Sequence, residues 1–238
     1  MTERATGPAV LRVLGDFELR VGRRTVVLPV NAQRVLGYLA VAGREARRER
    51  LAGVLWGESS QERANANLRT ALWRIRRTAP RVVDSGRDVV RLNQRVVSDL
   101  DQSLAEARRL LDHDRPAAEP VAPPTGLFEA DLLPGWDVDW LPLIRERHRQ
   151  LRIHALEALS ERLTDRGQYA RAIDAAYAAI AAEPLRDSAR AAVIRAHLAE
   201  GNRTEAERHL ALYRRILDDE TGLSPSPRLE ALLSASRP

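Results

Sequence analysis

A repeat with a period of 34 residues constrains the fold of the C-terminal half more than any other feature of this sequence. The stretches RGQYARAIDAAYAAIAAEP and EGNRTEAERHLALYRRILDD align with Gly167 over Gly201 and with Ala172 over Ala206. A glycine readily makes the turn between two helices, and an alanine lets two helices approach closely. The repeat therefore predicts stacked helical hairpins in this part of the chain.

A period of 34 residues is typical of tetratricopeptide repeats. The first copy also carries Tyr169, Ala179 and a closing Pro184 at the expected offsets. The second copy is weaker, because Arg203 replaces the tyrosine and Asp218 replaces the proline. A generic helical hairpin in an alanine-rich chain also produces part of this pattern, but the shared period and turn glycine favour the repeat. The predicted repeat-packing residues are Gly167, Tyr169, Ala172, Gly201 and Ala206.

The sequence before the repeat is also helical in pattern. SDLDQSLAEARRLLDH predicts one amphipathic helix with Ser98 or Asp99 as its N-cap. DRPAAEPVAPPTG is rich in proline and alanine and predicts a flexible loop at about residues 113–126. In WDVDW, the neighbouring Trp136 and Trp140 favour an acidic loop anchored in the helical core over a pair of catalytic carboxylates.

The charge of the chain changes sign along its length. Residues 1–98 hold 19 arginines against 9 acidic residues, a net charge of +10, whereas residues 99–238 have a net charge of −5. There is no lysine, a bias that GC-rich codons also produce. Uneven charge is common in two-domain chains, but a basic first domain favours an anionic partner such as nucleic acid. We expect disorder at residues 1–9, one domain at 10–98 and a second at 99–238.

The basic part predicts a sheet, three helices and a hairpin, in that order. VLRVLGDFELRV and RTVVLP are β-rich runs of a small antiparallel sheet. NAQRVLGYLAVAG predicts a helix that begins at an Asn31 cap and stops at Gly43. RRERLAGVLWG predicts a second helix with Leu51, Val54 and Leu55 facing inward. After the third helix, two β-rich runs around DSGRD predict a hairpin, which completes a winged helix.

The third helix, in SSQERANANLRTALWRIRRTAP, has an unusual surface. Ser59 or Ser60 caps it, and a narrow apolar stripe is formed by Ala64, Leu68, Ala71, Leu72 and Ile75. No acidic residue occurs after Glu62 as far as Arg81. Arginine can donate twice to guanine, asparagine pairs with adenine, and threonine contacts a thymine methyl or a phosphate. One interpretation of this helix is a solvated surface that is rich in arginine because of codon bias. The absence of acidic residues favours the other interpretation, a recognition helix that enters the major groove.

The predicted DNA-binding residues lie on this helix and in the hairpin, where Arg87 is at the tip and Arg91 on the return strand. Trp73 has two interpretations: it stacks on a sugar or base, or the second domain covers it. The second interpretation is favoured because an exposed tryptophan is unusual. The complete predicted set is Arg63, Asn67, Arg69, Thr70, Trp73, Arg74, Arg77, Arg87 and Arg91.

These stretches resemble the Streptomyces antibiotic regulatory proteins, the SARP family. The N-terminal resemblance is carried by LRVLGDFELRVGRRTVVLP and NLRTALWRIRR. The C-terminal resemblance is carried by LFEADLLPGW, WLPLIRERHRQLRIHALEALSERL and YRRILDDETGLSPSPRLEAL. It covers about residues 10–233 and implies a mainly α fold with a small β component. An OmpR-type winged helix is followed by a bacterial transcriptional activator domain with tetratricopeptide-like repeats.

The resemblance also implies partners and a mode of action. Such proteins are transcriptional activators that bind direct repeats in double-stranded promoter DNA, and a homodimer is compatible with this, at least on DNA. The loop between the second and third helices would face the RNA polymerase holoenzyme; here it comprises Trp56, Gly57, Glu58, Ser59, Ser60 and Gln61. Larger members continue into further modules, so the resemblance leads us to expect a short form.

Motifs for catalysis are missing from the sequence. No G-x-x-x-x-G-K-[ST] or H-E-x-x-H occurs, and there is no cysteine to act as a nucleophile or to bind zinc. We therefore predict no enzyme activity, no cofactor and no metal.

The chain also has no apolar run long enough to cross a bilayer and no secretory signal, which predicts a cytoplasmic, nucleoid-associated protein without a membrane partner. The alternative function is a repeat-type protein adaptor whose winged helix does not bind DNA.

Overall fold

The computed structural model describes residues 7–112 and 128–235. The loop predicted at residues 113–126, and residues 1–6 of the segment expected to be disordered, lie outside this range. The chain divides into two compact units: Met1–Leu104 with Ala130–Glu146, and Ala105–Glu129 with Arg147–Pro238. We call Ala130–Glu146 the strap.

Strands are confined to the N-terminal part of the described chain. They are β1 Ala9–Arg12, β2 Glu18–Val21, β3 Arg24–Thr25, β4 Glu45–Arg47, β5 Val83–Ser85, β6 Val89–Leu92 and β7 Val96–Ser98. The helices are α1 Val30–Val41, α2 Arg48–Leu55, α3 Gln61–Thr78, α4 Asp99–Leu111, α5 Pro142–Asp165, α6 Tyr169–Ala182, α7 Asp187–Glu200, α8 Arg203–Thr221 and α9 Pro227–Ala235. The predicted fold class, mainly α with an N-terminal β component, is confirmed.

The strands form two small sheets. In the first, with order β3-β2-β1-β7, β1 pairs antiparallel with β2 and parallel with β7. The sequence predicted the antiparallel pairs but not β7, which returns from beyond the hairpin. In the second sheet, with order β4-β6-β5, the predicted hairpin is confirmed, with Val83 opposite Leu92. The three residues of β4 complete this sheet on the other side of β6.

Two local predictions for the first two helices are wrong. Helix α1 begins at Val30 with Pro29 at the N-cap, so Asn31 lies inside the first turn and does not cap it. The Pro29 carbonyl accepts hydrogen bonds from the N–H groups of Ala32 and Gln33 at 2.9 and 3.0 Å, so the helix begins directly after the proline. In α2, Val54 is 36% exposed, and the inward-facing residues are Leu51, Ala52 and Leu55.

The strap packs within the first unit through backbone and guanidinium contacts. The Gly15 N–H donates to the Asp131 carbonyl at 2.7 Å, and the Leu133 N–H donates to the Val13 carbonyl at 2.9 Å. The Arg145 guanidinium donates to three strap carbonyls, those of Leu132, Leu133 and Trp136, at 2.7 to 3.2 Å. The strap is thereby fixed to the end of β1 and to itself.

Aromatic packing in the strap corrects the prediction for its two tryptophans. Trp136 stacks on Phe17 with ring centroids 5.8 Å apart, and Trp140 meets Tyr38 edge-on at 5.3 Å. Both partners belong to the N-terminal unit, so the expected anchoring of these tryptophans in the helical core is wrong. The apolar surface that receives them includes Gly37 of α1, where the missing side chain leaves room for the Trp136 ring.

The start of α4 also belongs to the first unit, beyond the domain boundary expected after residue 98. The Asp99 carboxylate accepts hydrogen bonds from the backbone N–H groups of Val13 and Leu14 at 2.9 to 3.1 Å. Arg44, which has a left-handed backbone at φ 73°, forms an ion pair with Asp101. Its guanidinium also donates to the carbonyls of residues 93 and 96 at 2.8 and 2.9 Å. These contacts join α4 to the ends of β1 and β6.

The second unit consists of the predicted helical hairpins. α5 turns into α6 at Gly167, with φ 69°, and α7 turns into α8 at Gly201, with φ 89°. Both positions are in the left-handed region, which explains the recurrent glycine. Ala172 and Ala206 have no exposed surface, as close helix packing requires. Tyr169 is half-buried at the start of α6.

A polar cluster at the start of α7 fixes the connection to α9. The Tyr213 hydroxyl donates to the Asp187 carboxylate at 2.6 Å, and the Ser226 N–H donates to the same carboxylate at 2.8 Å. The Arg190 guanidinium lies 4.8 Å from the Tyr213 ring centroid. Burial opposes ionisation of Asp187, but the hydrogen bonds from Ser226 and Tyr213 outweigh it and lower its pKa below the usual value.

Gly37 provides a first test of the strap. A Cβ at this position would lie 2.7 and 2.8 Å from two Trp136 ring atoms. We expect Gly37→Ala to lower the free energy of unfolding by about 1–3 kcal/mol through overpacking, measured by urea unfolding. Gly53→Ala is the matched control, because Gly53 is also helical and has nothing within 4 Å of the new Cβ. The Gly53→Ala control should stabilise the protein by up to about 1 kcal/mol. Equal stabilisation by Gly37→Ala and Gly53→Ala would contradict the packing of Trp136 over Gly37.

Asp187 provides a pH-dependent test. Its lowered pKa means that the carboxylate stabilises the folded protein above the unfolded-state pKa near 3.8, and that this contribution is lost as the pH falls through the lower folded-state value. We expect Asp187→Asn to cost about 1–2 kcal/mol at pH 7, and the difference from wild type to shrink in acid. Urea unfolding of both proteins at several pH values measures this difference in the free energy of unfolding. The exposed Asp174→Asn control should match wild type, and a penalty for Asp187→Asn that stays constant into acid would be inconsistent with the proposed hydrogen bonds.

Candidate nucleic-acid interface

The orientation of α3 is set by its apolar stripe. Its buried residues are the predicted ones, Ala64, Leu68, Ala71, Leu72 and Ile75. The Ser60 side chain caps the helix by accepting a hydrogen bond from the Arg63 N–H at 3.4 Å, which confirms one of the two predicted caps. With this stripe in the core, the remaining side of α3 is left to solvent.

The solvent side of α3 carries the predicted basic face. The residues predicted to bind DNA are exposed on it, except Asn67, which is half-buried; the exposed ones are Arg63, Arg69, Thr70, Trp73, Arg74 and Arg77. Since no acid occurs after Glu62 as far as Arg81, these guanidinium groups have no acidic neighbour on their own helix beyond its first turn. The result is a strongly cationic surface.

Trp73 lies among these arginines. It is 50% exposed, and the interpretation that the second domain covers it stays a prediction. The guanidinium carbons of Arg74 and Arg77 each lie 5.2 Å from the Trp73 ring centroid, within cation–π distance. The apolar ring therefore supports two charged groups, which explains how a large aromatic side chain is tolerated at the surface.

Two other polar side chains of α3 form hydrogen bonds. The Thr70 hydroxyl donates to the Ala66 carbonyl one turn earlier at 3.1 Å. Thr70 thus offers an outside partner its methyl group and an oxygen acceptor. Arg76 donates to the Ser85 carbonyl at 3.0 Å, which ties α3 to the hairpin.

The two hairpin arginines differ in their environment. Arg87 lies exposed between β5 and β6, where the sequence predicted the hairpin tip. Arg91 lies on β6 as predicted, but its Nε donates to the Glu45 carboxylate at 2.7 Å. Both members of that ion pair are exposed, so the pair contributes little to stability, yet it partly neutralises Arg91.

A cleft beside α3 adds residues that sequence reasoning missed. It has a volume of about 620 Å³, and its lining includes Arg47, Arg48, Asn65, Arg69 and Arg87. Arg48 donates to the Ser85 hydroxyl at 2.8 Å, whereas Arg47 is exposed. Glu49 and Asp88 also line the cleft, so its charge is mixed. The pair of arginines at the start of α2, Arg47 and Arg48, was visible in the sequence, but only the pairing of β4 with β6 brings it near the hairpin tip.

The loop between α2 and α3 is short and largely exposed. Trp56 ends α2, and its carbonyl accepts a hydrogen bond from the Ser59 N–H at 3.0 Å. Gly57 and Glu58 are exposed. Gln61, predicted as part of the loop, is the first residue of α3 because Ser60 caps the helix there.

Residues 7–112 and 128–235 contain no cluster of three or more acidic, histidine or cysteine side chains that could hold a metal ion. Among these residues, no helix has both the length and the apolar character needed to cross a membrane. His113, one of the five histidines, lies outside the described residues.

Comparison with known proteins matches both parts of the chain. The model of a bacterial transcriptional activator domain matches residues 96–235. Regulatory protein AfsR of Streptomyces coelicolor is 30% identical over an alignment of 241 residues; the alignment covers 97% of this chain and 24% of AfsR. Regulatory protein AfsR of Streptomyces griseus is 28% identical over 198 residues, which cover 80% of this chain and 20% of AfsR. This chain spans about a quarter or less of the length of these curated relatives.

Among solved structures, the fold resembles that of Mycobacterium tuberculosis EmbR in complex with a low affinity phosphopeptide. The TM-score is 0.74, and the match covers 96% of this chain and 65% of the EmbR chain. Sequence identity is 18%, so this likeness shows a shared fold.

Proposed function

Because this chain belongs to the SARP family of bacterial transcriptional regulators, with a winged helix followed by a bacterial transcriptional activator domain, we propose that it activates transcription by sequence-specific binding of promoter DNA. The observation that carries this proposal is the solvent face of α3. It holds five exposed arginines, a threonine and a half-buried asparagine, with no acid between Glu62 and Arg81. A major groove admits one helix and presents base-edge acceptors flanked by phosphates.

In this proposal, α3 enters the major groove and the hairpin reaches the neighbouring backbone or minor groove. Arg63, Asn67, Thr70 and Arg74 read base edges, while Arg69, Arg77 and Arg87 contact phosphates. Trp73 holds the guanidinium groups of Arg74 and Arg77 in place by stacking. Arg91 contributes less, because Glu45 already pairs with it.

The cleft residues extend the proposed contact surface. Arg47 and Arg48 lie at the start of α2, beside Arg69 and Arg87. A phosphate near this cleft would meet several guanidinium groups together with the positive end of a helix. We assign Arg47 a positioning role on the DNA backbone.

Two protein partners follow from the family. We propose that the loop from Trp56 to Ser60 faces RNA polymerase, since its exposed Gly57 and Glu58 are free to contact another protein. Monomers bind promoter direct repeats side by side, as a homodimer on DNA, with sites about one helical turn apart.

The protein acts in the cytoplasm at the nucleoid, without enzyme activity. The alternative function is a protein adaptor whose winged helix does not bind DNA. It does not explain why the solvent face of α3 has no acidic residue after Glu62.

Substitutions on the base-reading face test the proposal. We expect Thr70→Ala and Arg74→Ala to relax sequence preference at one base step by about 1–3 kcal/mol, because each removes a base-edge contact. Selection of bound sequences from random duplex DNA, compared with wild type, measures the change. Arg215→Ala removes an exposed arginine of α8 and should leave the selected sequence unchanged. Wild-type discrimination by both α3 variants would show that this face does not read bases.

Arg47 tests the proposed backbone contact. We expect Arg47→Ala to weaken binding about equally for all sequences and to reduce the slope of log K against log salt by about 1, since one phosphate contact is lost. Fluorescence anisotropy with one duplex at several salt concentrations provides the slope, and Arg215→Ala again serves as the control. An unchanged slope would exclude Arg47 from the interface.

A further inference from the structure

Ser85, the last residue of β5, is hydrogen-bonded to two helices. The guanidinium of Arg48, the first residue of α2, donates to the Ser85 hydroxyl at 2.8 Å. The guanidinium of Arg76, in the last turn of α3, donates to the Ser85 carbonyl at 3.0 Å. We call these two hydrogen bonds the Ser85 clamp. They connect one residue of the hairpin to the start of α2 and to the end of α3.

The clamp lies where the hairpin leaves the hydrophobic core. The base of the hairpin is fixed by the burial of Val83, Val90 and Leu92. Residues 86–89 at the tip are exposed or half-buried, so apolar packing fixes them much less. Hydrogen bonds therefore decide where the tip lies relative to α3.

The start of α2 holds the tip on both sides of Arg87. The Arg48 N–H donates to the Asp88 carbonyl at 2.8 Å, and the Arg48 side chain reaches Ser85. Arg76 adds the bond from α3 to the Ser85 carbonyl. The backbone next to Arg87 is thereby tied to both helices.

Arg87 depends on this backbone for its position. Its side chain is exposed and makes no hydrogen bond or ion pair within the part of the chain that the structure describes. It borders the same cleft as Arg69 of α3. A long exposed side chain keeps its rotamer freedom, so its reach is limited by where its backbone is held. The clamp thus limits how far the Arg87 guanidinium can lie from α3.

The clamp fastens the hairpin without cancelling positive charge. A hydroxyl and a carbonyl are neutral acceptors, so Arg48 and Arg76 remain full cations while they are bonded. Glu49 and Asp88 also border the cleft, but within residues 7–112 and 128–235 neither forms an ion pair with an arginine of the clamp. The surface beside α3 therefore stays attractive to phosphate.

We propose that Arg48 and Arg76 are positioning residues for DNA binding, which act through Ser85 to place the hairpin tip so that Arg87 reaches a phosphate while α3 lies in the major groove. This inference rests on the proposed function and gives the two arginines a role other than direct contact with the duplex. Because the tip is ordered before binding, the Arg87 contact forms without the entropic cost of ordering it.

A double-mutant cycle tests the coupling between the clamp and Arg87. Ser85→Ala removes one acceptor and Arg76→Met removes one donor, so the Ser85→Ala/Arg76→Met chain, the clamp-free variant, lacks both bonds. Fluorescence anisotropy with the duplex that the wild-type chain selects measures the affinities. At about 0.1 M salt, we expect Arg87→Ala to weaken binding about five- to tenfold in the wild-type background, because one phosphate contact is lost. In the clamp-free variant it should weaken binding less than about twofold.

Two further readouts separate positioning from a loss of stability. Arg87→Ala should reduce the slope of log K against log salt by about 1 in the wild-type background, and by clearly less in the clamp-free variant. Ser85→Thr keeps a hydroxyl acceptor and should preserve the full effect of Arg87→Ala. The matched control is Ser234→Ala/Arg215→Met, which makes the same replacements at exposed positions of α9 and α8 and should also preserve it.

Circular dichroism verifies folding; should the clamp-free variant unfold, Ser85→Ala alone should reduce the effect of Arg87→Ala at least about twofold. An equal effect of Arg87→Ala with and without the clamp would overturn the positioning role and leave DNA binding by α3 intact. Wild-type affinity for DNA in Arg87→Ala would overturn it too. Failure of the wild-type chain to bind any duplex specifically would instead contradict the proposed function, and this inference with it.

Discussion

The burial of one narrow apolar stripe on α3 determines what the first unit offers to a partner. The stripe holds only alanine, leucine and isoleucine, and all its residues are buried. Because a helix has fixed geometry, this burial also fixes which arginines face solvent and where they point. Two of them, Arg74 and Arg77, are further held by the Trp73 ring. Burial of the stripe thus places these arginines together on one cationic surface.

Local patterns predicted the elements that depend on neighbouring residues. The stripe of α3, its Ser60 cap, the hairpin and the turn glycines Gly167 and Gly201 are confirmed. Each of these arises within a few residues, where periodicity and glycine conformation are informative. The SARP resemblance also predicted the family.

The features that were missed depend on contacts distant in sequence. Strand β7 has three residues and pairs with β1 from far along the chain, which no local pattern reveals. The strap packs Trp136 against Phe17 and over Gly37, although the pattern around it is helical. A fragment that ends at residue 98 would therefore lack part of the first unit's packing. Arg47 joined the candidate interface only because β4 pairs with β6.

The proposal that α3 reads DNA is tested most directly by selecting bound sequences from random duplex DNA with the full chain, at two salt concentrations. A recognition helix should yield a direct repeat with sites about one helical turn apart, and this sequence should still be enriched at the higher salt. Binding without sequence preference that disappears at the higher salt would contradict the proposal. The arginines of α3 would then form only a basic surface, and the repeat unit would become the place to search for the protein's function.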